Sequence, residues 1–320
     1  MRSTLNFGNV ITAMITPFKK NGDIDYDEVE LLANHLYQNG TDTVLLTGST
    51  GEDAQLSENE KWQLVQRVRQ YAPKQAKIMV ATSDKNTARA IHKTKKAFEL
   101  GADAVLVAVP EYIKPPQEAM LIHFGQIADS VPNKPVFIYN IPSRTGTEIL
   151  PATVATLAQR HPNIVGLKQS MGNLDRVSEL NQELQKRGIT DFHLYSGDDS
   201  LTLPMLALGA KGVISVASHL EGSLIQKMVT DFKRGNVKAA NKTHQLLFPL
   251  FQSLFITTNP MPIKEALYQK GIISKPTLRT LGEMTAQQKT DLVSRLHLFY
   301  AHKKADMMAN CPCLNKTGRT

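Results

Sequence analysis

The chain of 320 residues is 42% hydrophobic and 21% charged, an ordinary globular composition with ample apolar material for a large core. Its net charge of +8 is partly an effect of the C-terminal tail, and the basic residues before that tail are mostly interleaved with acids along helical stretches such as KWQLVQRVRQY and IHKTKKAFE, which argues against a nucleic-acid partner and fits small anionic substrates. No apolar run reaches the ~18 residues of a membrane span, the opening MRSTLNFGNVITAMITPF lacks a signal-peptide layout, and the only cysteines, Cys311 and Cys313, offer no disulfide framework, so a cytoplasmic protein without membrane contact is expected.

Short β-branched runs then recur along the chain: VITAMITPF, TVLLTG, KIMVATS, AVLVAVP, PVFIYNIP, IVGLKQS, FHLYSG and GVISVAS. They are continuously apolar rather than alternating, as parallel strands covered on both faces are. Helical patterns fill the gaps. Ser57 to Glu60 has capping-box spacing, and Leu64, Val65, Val68 and Tyr71 follow on one face. Leu174, Val177, Leu180 and Leu184 form a similar stripe after the sixth run. Gly40, Gly101 and Gly209 each precede a strand by a few residues, as glycines that end helices in αβ turns do. Eight such units predict an α/β fold, a (β/α)8 TIM barrel, over residues 1–235. The competing doubly wound sheet normally carries a glycine-rich phosphate turn after its first strand, and ITPFKKNGDIDYDE is no such turn.

Beyond GVISVASHL the pattern is helical only, at 220–235, 237–255, 262–270 and 284–301. One of these closes the barrel, so residues 236–302 are expected to form a C-terminal helical appendage. Residues 303–320, KKADMMANCPCLNKTGRT, are expected to be a disordered tail.

Chemistry in such barrels gathers at the C-terminal ends of the strands. The sixth run raises the sharpest question there, because Lys168 follows Ile164, Val165 and Leu167 on an otherwise apolar strand. A lysine there can be an edge residue with its ammonium in water, or a desolvated amine able to attack a carbonyl. The other strand ends favour the second reading. TGSTGE, residues 47–52, places the hydroxyls of Ser49 and Thr50 among glycines and exposed N–H groups, a turn able to grip a carboxylate. Tyr112 lies just past the fourth strand, Tyr139 on the fifth, and Arg144 in the loop after it. A lysine, two tyrosines, an arginine and a carboxylate loop are the parts needed to form an imine with a 2-oxo acid. A metal-dependent aldolase would need histidines at ligand spacing, which the sequence lacks. A phosphate-binding barrel would favour glycine-rich loops after strands seven and eight, where SGDDS and VASHL stand. Asp198 or Asp199 is expected to cap a helix.

With GSTGE, YNIPSRTG, VGLKQS, SGDD and GVISVAS in this order and spacing, the chain resembles the dihydrodipicolinate synthase / N-acetylneuraminate lyase family over roughly residues 5–300. Arg144 after YNIPS and the loop EYIKPPQEAM resemble the synthase branch. GSTGE, with Ser49 and Asp53 where that branch usually has threonine and serine, is also common among lyases and sugar-acid aldolases. The arginine decides for the synthases, since it adds an anion clamp that a neutral polyol tail would not need.

The resemblance implies a Schiff base between Lys168 and pyruvate, and condensation with L-aspartate 4-semialdehyde to 4-hydroxy-tetrahydrodipicolinate. It implies proton transfer by Tyr139, Thr50 and a Tyr112 supplied by a neighbouring subunit. Ser49, Thr50, Gly51, Arg144 and Ile214 would bind substrate. It further implies a homotetramer of two dimers and no metal or organic cofactor. A class I aldolase or lyase acting on a 2-oxo sugar acid shares the imine platform. A non-catalytic ligand-binding barrel would have had little reason to keep Lys168, Tyr139 and Thr50 together. Feedback-sensitive members bind lysine through residues that here become Asp53, Ala54, Glu58, Lys61, Lys85, Arg89 and Glu111, so weak inhibition by lysine is expected.

Overall fold

In the computed structural model, which describes residues 5–309, eight strands close into a barrel. They are β1 (Val10–Ala13), β2 (Thr43–Leu46), β3 (Lys77–Ala81), β4 (Ala104–Ala108), β5 (Val136–Asn140), β6 (Ile164–Gln169), β7 (His193–Ser196) and β8 (Gly212–Ser215). Each pairs in parallel with the next, and β8 returns to β1. The connecting helices are α1 (Tyr26–Gln38), α2 (Glu58–Tyr71), α3 (Thr87–Glu99), α4 (Gln117–Asp129), α5 (Pro142–Thr145), α6 (Pro151–Arg160), α7 (Asp175–Lys186), α8 (Thr202–Ala207) and α9 (Ser218–Lys233). Then come α10 (Val237–Ser253), α11 (Met261–Gln269) and α12 (Ala286–Ala309). The fold is thus a (β/α)8 TIM barrel with a helical C-terminal appendage. No helix of the described residues is long and apolar enough to cross a membrane.

Local chemistry accounts for the element ends. Ser57 and Glu60 form a reciprocal capping box: the Glu60 N–H donates to Ser57 Oγ at 3.3 Å and the Ser57 N–H to the Glu60 carboxylate at 2.9 Å. Leu64, Val65 and Val68 are buried on the barrel-facing side of α2. Tyr71, the last residue of that helix, departs from the expected stripe and is 43% exposed, with the Arg67 guanidinium 5.5 Å over its ring. Gly40, Gly101 and Gly209 have φ of +93°, +91° and +92°, the left-handed conformation that lets a helix turn directly into a strand.

Two apolar layers result. The outer one lies between strands and helices. The inner one fills the barrel with Phe7, Ile11, Leu45, Met79, Phe137, Val165, Tyr195, Ile214 and smaller neighbours. Each such large side chain contributes roughly 1.5–3 kcal/mol by burial. Phe7 plugs the N-terminal end, edge-on to Phe137 at 5.2 Å.

One irregularity in this layer positions the site. Val136 pairs with Ile164 but Phe137 pairs with Gly166, so Val165 is the extra residue of a bulge. Val165 faces the inner layer, Leu167 the outer one, and Lys168 the barrel interior again. Simple alternation from Val165 would have sent Lys168 outward. Gly166 permits the arrangement: a Cβ there would lie 2.3 Å from the Phe137 ring and 2.4 Å from the His193 carbonyl oxygen.

At the C-terminus, α10 packs on α9, and α12 packs on α10 and α11. The expected tail is corrected here. Residues 303–309 belong to α12, since no glycine or proline interrupts HKKADMMA. Lys303 Nζ donates to both carboxylate oxygens of the buried Glu221 at 2.8 and 2.6 Å. Cys311, Cys313 and the rest of that stretch lie outside the described residues.

Candidate active site

A cavity of about 390 Å³ opens at the C-terminal ends of the strands. Lys168 enters it from β6 and is only 7% exposed. Its Nζ lies 4.2 Å from the centroid of the Tyr139 ring, on the strand beside it in the ladder. Tyr139 is itself 8% exposed. Just outside the cavity, Asn140 and Gln169, the residues following Tyr139 and Lys168, are joined by an amide hydrogen bond of 3.1 Å. That bond braces the two strand ends against each other.

Facing Lys168 across the barrel, four strands away, is the loop after β2. Thr47 leaves the strand at φ +54°, Ser49–Gly51 make one tight turn, and Glu52 follows at φ +57°. Ser49 and Thr50 line the cavity. Thr50 is 5% exposed, and its Oγ1 accepts from Asn259 Nδ2 at 2.9 Å. Gly51 is buried behind the lining; its carbonyl accepts from Thr16 Oγ1 at 2.7 Å, and a Cβ there would stand 3.1 Å from the Met14 carbonyl oxygen.

Glu52 anchors this loop to the appendage. Its carboxylate pairs with Lys264 of α11, both side chains being almost wholly out of solvent. Lys264 also donates to the Thr277 carbonyl at 2.8 Å, and Phe18 lies under the ammonium at 4.2 Å. Burial pushes Lys264 down to about 8, with the Glu52 charge acting against that shift.

The other expected residues fall as follows. Arg144, in the single turn α5, is exposed at the cavity mouth and has no ion-pair partner among the described residues. Ile214 is 1% exposed in the inner layer below the cavity, and Val216, two residues on, supplies the lining there. Tyr112 is not brought to the site: it is 84% exposed, at φ +70°, and outside the lining. Around the expected lysine-binding positions, Asp53 pairs with Lys61 at 2.7 Å, and Asp84 takes both Lys93 at 2.8 Å and Arg89 at 3.1 Å.

The helix-cap expectation for Asp198 or Asp199 is corrected. Asp198 caps nothing with its side chain. It lines the cavity, where burial raises its pKa, Lys168 opposes the shift and Asp199 adds to it. Asp199 is fully buried and accepts from Ser215 Oγ and from the N–H groups of Val216 and Ala217 at 3.0 and 2.9 Å. It therefore fastens the exit of β8, a role set by three dimensions rather than by its own helix. Asn259 and Lys264 were not expected from sequence. The signal for Lys264 was a charge in the apolar run MPIKEALY, which poses the same question as Lys168.

The model of the dihydrodipicolinate synthetase family matches residues 6–298. The chain is 48% identical over 266 residues to the 4-hydroxy-tetrahydrodipicolinate synthase of Cyanothece sp., covering 83% of this chain and 89% of that protein. It is 44% identical over 299 residues to the synthase of the same name from Desulforamulus reducens, covering 92% and 99%. Its structure resembles that of DHDPS from Cyanidioschyzon merolae with lysine bound, with a TM-score of 0.87 at 41% identity over 92% of this chain and 98% of that one. It matches dihydrodipicolinate synthase from Aquifex aeolicus equally well, with a TM-score of 0.87 at 39% identity over 92% and 98%. The chain belongs to the dihydrodipicolinate synthetase family.

Proposed function

We propose that this chain is a lyase of the class I aldolase type that condenses pyruvate with L-aspartate 4-semialdehyde to 4-hydroxy-tetrahydrodipicolinate. The observation that carries the reading is the buried Lys168 amine, stacked on Tyr139 and facing a hydroxyl-bearing loop across the barrel. A small 2-oxo acid would place its carboxylate against Ser49, Thr50 and the loop N–H groups around Gly51, and its keto carbon toward Lys168.

Lys168 Nζ attacks C2 of pyruvate, and the carbinolamine loses water to give the imine. Tyr139 carries protons in this step and in the loss of a C3 proton that yields the enamine, with Thr50 and a neighbouring subunit's Tyr112 completing the relay. C3 then attacks the aldehyde carbon, whose oxygen takes up a proton. The amine of the adduct closes on C2 and expels Lys168. Arg144 holds the carboxylate of the semialdehyde, and Ile214 shapes the floor beneath the pyruvate. The scheme calls on no metal or organic cofactor.

Because Tyr112 is exposed and does not line its own cavity, the reading requires at least a dimer, and a homotetramer of two dimers fits it. The domain reading that goes with it is a catalytic barrel to residue 235 and a supporting helical region from 236. An assay supplying both substrates tests the reaction, and the Arg144→Ala variant tests the choice of electrophile. That variant should form the pyruvate imine normally while kcat/KM for the semialdehyde falls about ten- to a hundredfold. Normal condensation by the variant would contradict the assignment.

A further inference from the structure

Among the described residues, the buried side-chain polar atoms that have no hydrogen-bond partner include two on residues lining the cavity, Asn259 Oδ1 and Ser170 Oγ. Asn259 already spends its amide N–H on Thr50. Ser170 makes no side-chain hydrogen bond, although it is only 8% exposed. A buried hydroxyl left without a partner costs roughly 1–3 kcal/mol, so an unmatched one in a cavity wall marks a place where a ligand atom completes the set.

Its position says which atom. Ser170 follows Lys168 by two residues and shares the cavity wall with it, one pleat nearer the mouth. Its backbone N–H donates to the Asn140 carbonyl at 2.9 Å, tying it to the strand that carries Tyr139 and leads into the Arg144 turn. Beside it, at the end of the neighbouring β7, stands Gly197. A Cβ on that residue would fall 1.8 Å from Ser170 Oγ and 3.0 Å from Lys168 Cε, so the missing side chain makes room for the hydroxyl beside the lysine stem. The hydroxyl therefore lies beside the stem of the lysine that holds the first substrate, in the wall of a cavity that Arg144 also lines.

We infer that Ser170 is a contact for the second substrate, its O–H donating to the aldehyde oxygen as the carbon–carbon bond forms. This rests on the condensation proposed above. In that step the enamine C3 bonds to the aldehyde carbon, the carbonyl π pair moves onto oxygen, and the proton that oxygen gains comes through Tyr139. Ser170 keeps its own proton and stabilises the developing charge. Lys168 and the loop after β2 bind pyruvate without it.

Three variants and two readouts test this: borohydride trapping of the pyruvate imine by mass spectrometry, and kcat/KM for each substrate. Ser170→Ala should trap pyruvate as the parent does and keep its KM for pyruvate, while kcat/KM for the semialdehyde falls about tenfold. Ser170→Cys, similar in size but a weak donor, should fall in between, and Ser170→Gly should match Ser170→Ala. An Ala variant within twofold of the parent for the semialdehyde overturns the inference. An equal fall for both substrates also overturns it, because a merely structural role would have that effect. If the parent forms the imine yet never consumes the semialdehyde, the condensation itself is wrong and this assignment falls with it, a result distinct from the other two.

Discussion

The loops after β2 and β4 each hold two non-glycine residues in the left-handed region, Thr47 and Glu52 in one, Tyr112 and Lys114 in the other. Such conformations cost about 1–3 kcal/mol each and persist only where their surroundings impose them. In the first loop the surroundings are within the chain. Thr47 Oγ1 donates to the Ala81 carbonyl at 2.9 Å, and Glu52 is clamped by Lys264 and by the Arg279 N–H at 3.3 Å. In the second loop Tyr112 stands 84% exposed, with the Lys85 ammonium 5.8 Å from its ring. The first loop is finished by its own fold, and the second, the unfinished half of the pair, leaves Tyr112 in solvent.

Breaking the finished half should have the largest effect. Glu52→Gln leaves the Lys264 charge buried without its counter-charge, and the expected loss of stability is about 3–5 kcal/mol, read from chemical denaturation midpoints. An unchanged midpoint would mean that the loop does not depend on α11.

The unfinished half should respond differently. Tyr112→Phe keeps the ring, so unfolding should shift by less than about 0.5 kcal/mol, while condensation falls roughly a hundredfold or more through loss of a proton-transfer group. Mixing it with Lys168→Ala protomers sharpens the test. A hybrid dimer holds one site with an intact Lys168 and an intact Tyr112 from its neighbour, so activity should reappear on mixing two weak variants. No recovery would place Tyr112 in its own chain's site or outside the relay.

The smallest effect expected is that of free L-lysine. At the positions expected to bind lysine, Lys61 is paired with Asp53 and Arg89 with Asp84, and Lys85 adds a positive charge that a cationic amino acid would meet. Like charges disfavour it. Half-inhibition below about 1 mM, an affinity near 4 kcal/mol, would show that the charges leave a working pocket.

What was legible in the sequence follows the range of the forces involved. Continuous apolar runs and helix-ending glycines are local, and they gave the barrel strand by strand. The side-chain inventory at strand ends gave Lys168, Tyr139, Thr50 and Ser49 as one cluster, because strand ends in a barrel share a mouth. The direction of Lys168 was not legible. It depends on the bulge at Val165, which depends in turn on Phe137 and His193 crowding Gly166 from neighbouring strands. Lys264, Asn259 and Ser170 escaped notice for a related reason. Their importance lies in partners gained from more than two hundred residues away, as for Asn259 and Lys264, or left wanting, as for Ser170. The end of α12 was misjudged because a lysine-rich terminus reads as solvated, whereas Lys303 has a buried carboxylate to meet.

The central claim is that Lys168 carries the substrate covalently. Borohydride reduction in the presence of pyruvate, followed by peptide mass mapping, tests it most directly. One reduced pyruvyl group per chain on the peptide containing Lys168, and none on the Lys168→Ala variant, is the expected result. Labelling that persists undiminished in Lys168→Ala, or that maps to another lysine such as Lys264, would contradict it.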